Sequence, residues 1–272
     1  TAIKLIAVHI LCLIIKSCKG QSSNTSHNTP EQEKRDSTAS VLKKETSKSN
    51  TNATPFQFSA FNSQISDVVR TMYQDSKGNY WFGTQNGVFK YNGNHLINIE
   101  GIQSESGKHV TIKDIAEGKN GAIWFGHTDG VSVIKNGSIT NYYERDGLIS
   151  NDVWCITVDQ NNHVWIGTIQ GVSKFDSTNF TDFSLPEGQL DTSVGVSSTK
   201  MIHHIMEDSK GRMWFSTNGG VYINDNNVLV NISEKDGLNT SFINKVIETK
   251  KGGFWISTLK GLFSYNEDTI AN

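Results

Sequence analysis

Few side chains in this sequence have the types and spacing that catalysis needs. His203 and His204 are adjacent, and neighbours on a strand point to opposite faces, so the pair cannot grip one ion or share one proton. His127 is placed to approach His203, but no spacing supplies a carboxylate pair or an activated nucleophile beside them. Gly-x-Ser-x-Gly, the P-loop and His-Glu-x-x-His are all missing. Cys12, Cys18 and Cys155 lack a Cys-x-x-Cys spacing, which argues against zinc, and Cys12 and Cys155 read as small buried hydrophobes. We therefore expect no cofactor, no metal and no catalysis.

The chemistry on offer is recognition. Eleven residues before five regularly spaced tryptophans stand Arg70, Lys113, Trp154, His203 and Asn244. The residue before each is aliphatic: Val69, Ile112, Val153, Ile202 and Ile243. Variable polar and aromatic groups on a constant apolar frame are what a recognition surface would look like. A second set follows the tryptophans: Gln85, Asn86, His127, Asp129, Gln170, Asn218 and Lys260. Trp154 among polar groups offers a flat face for a sugar or similar ligand. The alternative is that both sets are solvated loop ends with no ligand.

The elements that must position these residues are written five times. The tryptophans are Trp81, Trp124, Trp165, Trp214 and Trp255, at spacings of 43, 41, 49 and 41. Six residues after each is a glycine, and three before each is Gly78, Gly121, Asn162, Gly211 or Gly252. Asp75, Asp159 and Asp208 open the turn in three copies, where Gly118 and Thr249 stand in the others. Such a turn lets a carboxylate accept backbone N–H bonds while Gly or Asn takes a positive φ. Each unit reads as four short strands, with no helical period. Units of this length and pattern predict an all-β propeller of five four-stranded antiparallel blades. A blade apolar on both faces must be covered by neighbours, and the tryptophan fills the gap between blades.

The fifth unit ends "GLFSYNEDTIAN" without an evident fourth strand, while "PFQFSAF" (55–61) precedes the first. Pairing of 55–61 with 261–265 would close the ring and remove exposed edges. An open part of a larger ring, or one completed by a second chain, are the alternatives. The spacing of 49 holds an insert, Ser184 to Lys200, between the third and fourth units, and loops on a rigid scaffold often carry specificity.

Residues 1–18 read as a secretory signal: Lys4, then an apolar run of 11 residues ending in "IKSCKG". Its end resembles a bacterial lipoprotein signal, which implies lipidation at Cys18. A signal peptide cut near Gly20 and an uncleaved anchor also remain open. All three place the domain outside the cytoplasm, and the lipoprotein reading makes a lipid anchor its only membrane attachment. Residues 19–54 are rich in Ser, Thr, Asn and Lys and read as a disordered tether, leaving 55–272 for the propeller. The formal net charge is −2, which gives no general attraction to nucleic acid.

The unit "NDVWCITVDQNNHVWIGTIQGVSKF", with "DSKGNYWFGTQNGV" and "DSKGRMWFSTNGGV", resembles the two-component regulator propeller repeat. That resemblance implies an extracytoplasmic sensor-type propeller and does not carry signalling activity over. Some propellers with similar blades are streptogramin lyases, whose histidine and glutamate pattern is not matched here. The expected partners are a small molecule or glycan at the channel mouth, or an envelope protein for which the propeller is a scaffold.

Overall fold

The computed structural model describes residues 65–271, apart from 235, 236 and 268. The expectations for the signal, Cys18, the tether and the strand at 55–61 fall outside those residues.

Blade one holds β1 (Val69–Gln74), β2 (Tyr80–Thr84), β3 (Gly87–Tyr91) and β4 (Leu96–Ile99). Blade two holds β5 (Ile112–Glu117), β6 (Ile123–His127), β7 (Gly130–Lys135) and β8 (Ser138–Tyr142). Blade three holds β9 (Val153–Val158), β10 (Val164–Thr168), β11 (Gly171–Phe175) and β12 (Phe180–Phe183). Blade four holds β13 (Ile202–Glu207), β14 (Met213–Thr217), β15 (Gly220–Asp225) and β16 (Val228–Asn231). Blade five holds β17 (Ile243–Glu248), β18 (Phe254–Thr258), β19 (Gly261–Tyr265) and β20 (Ile270–Ala271). Every sheet is an antiparallel meander in chain order. The predicted turn residues take positive φ, including Gly211 at 81° and the lone non-glycine, Asn162, at 64°.

The core is divided among the blade interfaces. One apolar cluster joins blades one and two, another two and three, another three and four, and another four and five. Each includes the tryptophan of the earlier blade, turned onto the next. Trp81 meets Phe125 at 5.5 Å between centroids, Trp165 meets Phe215 at 5.7 Å, and Trp214 stacks on Phe254 at 4.2 Å. The blades also clasp one another at their turns. Glu117 accepts from the Ser76 amide and hydroxyl of blade one, and Glu248 does the same for Ser209 of blade four. Glu207 accepts from the Gln160 amide of blade three.

Two features correct the sequence expectation. The place beside Ser264 and Tyr265 of β19 is taken by the chain's own Ile270–Ala271, a fourth strand the sequence did not make evident. Four blade interfaces are packed, but among the described residues β17 makes no comparable packing onto β1. Trp255 is 41% exposed where its four counterparts lie between 0 and 6%, and Met72 is 53% exposed where its counterparts Ile115, Ile156, Ile205 and Val246 are buried. The described blades form an arc whose first and last faces are uncovered.

Three buried aspartates tie the turns to the tryptophans. Asp75, Asp159 and Asp208 each accept from the indole Nε1 six residues on, at 2.8–2.9 Å, and from backbone amides two and four residues on. Burial alone would raise these carboxyl pKa values, but the hydrogen bonds outweigh it and hold all three below the ordinary value. A depressed carboxylate pKa contributes stability above its unfolded value and loses it as pH falls through the folded one. Asp114 and Glu207, raised by burial, act in the opposite sense and offset part of the loss. We expect the urea midpoint to fall as pH drops from 6 through the carboxylate range toward 3. Neutralising all three sites (Asp75→Asn, Asp159→Asn, Asp208→Asn) should flatten that dependence, and an unchanged slope would refute the assignment.

Candidate functional site

The frame of the mouth is set by one irregularity repeated in all five inner strands. The register of β1, β5, β9, β13 and β17 slips between the aliphatic residue twelve before the tryptophan and the residue ten before it. The residue between them has no ladder partner, as expected of a β-bulge. That residue is Arg70, Lys113, Trp154, His203 or Asn244. The aliphatics beside them are buried in blades two to five, while Val69 of blade one is exposed.

Neighbouring blades bring several of these side chains together. Lys113 forms a salt bridge with Asp152 of blade three and sits 3.9 Å from the Trp154 ring centroid. Its charge is therefore engaged, while Trp154 keeps 39% of its surface exposed. His203 Nε2 lies 2.6 Å from Asn218 Oδ1, and its ring packs 4.7 Å from Phe242. Burial lowers the His203 pKa against the raising effect of Asn218, which keeps the imidazole neutral near pH 7. Arg70, Asn86 and Gln170 are exposed, and Gln85 and Asn244 are half-buried.

His127 has a structural role rather than a place at the mouth. In the other four blades its position is Thr84, Thr168, Thr217 or Thr258. Each threonine hydroxyl donates to the carbonyl of the glycine three residues on and accepts from the amide two residues on. His127 substitutes in this turn: Nδ1 accepts from the Asp129 amide at 3.3 Å and Nε2 lies 3.0 Å from the Ser132 hydroxyl. Its side chain is fully buried, and burial lowers its pKa to about 3, so it is neutral and unavailable to a ligand. The signal was in the sequence, since "WFGH" stands where the other copies end in Thr.

The insert is docked, not loose. Tyr222 donates to the Pro186 carbonyl at 2.9 Å and Asn218 Nδ2 to the Ser198 carbonyl at 2.8 Å. Asp191 accepts from Thr240 at 2.6 Å and pairs with Lys260 at 2.6 Å. The Lys260 ammonium, with the Ser193 and Thr240 hydroxyls, holds the Asp191 carboxyl far below the usual range, so that carboxylate is ionised at neutral pH. Asp152, Asp191, Thr240 and Phe242 were not singled out from sequence, because only the bulge and the insert bring them to the mouth. Neither Trp154 nor His203 lines the cavity of about 500 Å³ under the insert or the one of about 260 Å³ beside Gln170 and Tyr222.

The two-component regulator propeller family matches residues 63–86, 147–170 and 195–219. These segments hold the blade-one, blade-three and blade-four turns and tryptophan strands. Blades one, three and four thus each carry a segment that matches this repeat. The extracellular domain of a hybrid two-component system from B. thetaiotaomicron is 30% identical, with a TM-score of 0.62 over 74% of this chain and 28% of that one. The extracellular domain of a one-component system from the same organism is 19% identical, with a TM-score of 0.50 over 75% of this chain and 37% of that one. Virginiamycin B lyase from Staphylococcus aureus shares the fold at 12% identity, with a TM-score of 0.57 over 74% of this chain and 67% of that one. The chain thus spans well under half the length of both extracellular domains. Among curated proteins no sequence match is found. Among the described residues, no helix is long and apolar enough to cross a membrane.

Proposed function

We propose that these propeller repeats form an extracytoplasmic, non-catalytic sensory module that binds a glycan or another small ligand at the channel mouth. The lipid anchor at Cys18 belongs to the same reading. The observation that supports it is the bulge repeated at Arg70, Lys113, Trp154, His203 and Asn244, with Trp154 half-open beside an engaged lysine. The resemblance, at 30% identity, to the extracellular domain of a hybrid two-component system supports the setting. Titration calorimetry against a panel of glycans tests it. For a glycan held at the rim, Trp154→Ala should weaken binding at least tenfold, roughly 1.4 kcal/mol, and Arg70→Ala less. Binding indifferent to both changes, or none at all, would remove the rim as the site.

A second reading rests on the uncovered blade faces. Exposed Met72, Trp255 and Leu262 give two apolar surfaces suited to a protein partner in the envelope, with the propeller as scaffold. Copurification from envelope extracts that is lost with Leu262→Asp and kept with Trp154→Ala would favour it.

A further inference from the structure

We propose that the cavity beneath the insert is a binding site for a small uncharged, hydroxyl-rich ligand of the mono- or disaccharide class. The inference rests on the ligand-binding reading but not on the rim residues. The cavity, about 500 Å³, lies between the insert, the β14–β15 turn and the segment joining blades four and five. That size lies within the range of small-molecule pockets, roughly 300–1,000 Å³.

Its walls are fixed without a ligand. Tyr222 and Asn218 hold the two ends of the insert, and the Asp191 pairs with Thr240 and Lys260 fasten its middle to blade five. Backbone closes one side: a Cβ on Gly188 would fall 1.9 Å from the Gly219 carbonyl oxygen, so only glycine permits that approach. The other handovers between tryptophans, at spacings of 41 to 43, lack the residues to build such a wall.

The lining states the ligand's chemistry. Its two charges, Asp191 and Lys260, neutralise each other at 2.6 Å, which leaves no net charge to attract an ion. The side chains of Gln189, Asn239 and Ser241 line the cavity and have no hydrogen-bond partner among the described residues. Amides and a hydroxyl both donate and accept, which matches the mixed demand of sugar hydroxyls. Leu190 and Leu238 add apolar surface for the C–H face of a ring.

Saturation-transfer NMR and calorimetry with glucose, galactose, N-acetylglucosamine, lactose and cellobiose test the site, with glucuronate as the charged control. The full chain is compared with Asn239→Leu, Gln189→Leu and Trp154→Ala, each checked for an unchanged thermal midpoint. The two leucine changes are at exposed positions and leave the insert's anchors intact. The expected result is that at least one neutral sugar binds, that Asn239→Leu and Gln189→Leu each weaken it fivefold or more, and that Trp154→Ala changes it less than twofold. A sugar lost only with Trp154→Ala overturns this site and leaves the rim reading standing. Preference for glucuronate, or no binding by any of the neutral sugars at about 10 mM, overturns it as well.

Discussion

Asp208→Ala is expected to destabilise the protein by about 3–5 kcal/mol, the cost of removing one partner from a buried charged network. Asp208 is buried, and its two oxygens accept from the Trp214 indole, the Arg212 guanidinium and the amides of Lys210 and Arg212. Alanine leaves an indole N–H with no exposed surface to reach water and a guanidinium with its one bond to Glu267. The matching change in blade five, Thr249→Ala, should cost less than about 1 kcal/mol. Thr249 Oγ1 accepts one bond, from the Gly253 amide at 3.1 Å, and the tryptophan it precedes is already open to solvent. Urea unfolding followed by tryptophan fluorescence measures both. Equal costs at the two positions would show that the aspartate is a turn former only, with no part in holding the tryptophan.

The turn was legible because its parts are local. An aspartate, a glycine three residues on and a tryptophan three beyond that specify a tight turn and a strand entry without long-range information. The same holds for the strand order, since short strands joined by short turns pair with their neighbours. The bulge was not legible. It is a mismatch between two strands, and the sequence of β9 alone does not show that Trp154 loses its ladder partner. The docking of the insert was hidden for a similar reason: Asp191 meets Thr240 across 49 residues, and nothing near either marks the other. The last blade was misread because Ile270–Ala271 is a two-residue strand, too short to show alternation. Closure was expected from a count of strands, and the strand it called for at 55–61 lies outside the described residues.

Which blade faces find a neighbour sets the largest contrast in stability along the chain. Trp214→Ala should cost about 3–5 kcal/mol, and Trp255→Ala about 1 kcal/mol or less, although both tryptophans hold the same place in their repeats. Trp214 is fully buried, stacked on Phe254 and hydrogen-bonded to Asp208, so its loss opens a cavity between two blades that cannot collapse without parting the sheets. Trp255 has water on one face, and truncation there removes only the contacts within its own blade. The same reasoning ranks Ile205→Ala above Met72→Ala, because Ile205 packs between blades three and four while Met72 looks outward. Chemical unfolding of the four variants at one pH decides the matter. If Trp255→Ala proves as costly as Trp214→Ala, the last blade face is covered in solution. The five sheets would then be held from both ends, and the arc would owe its stability to a contact beyond its four internal interfaces.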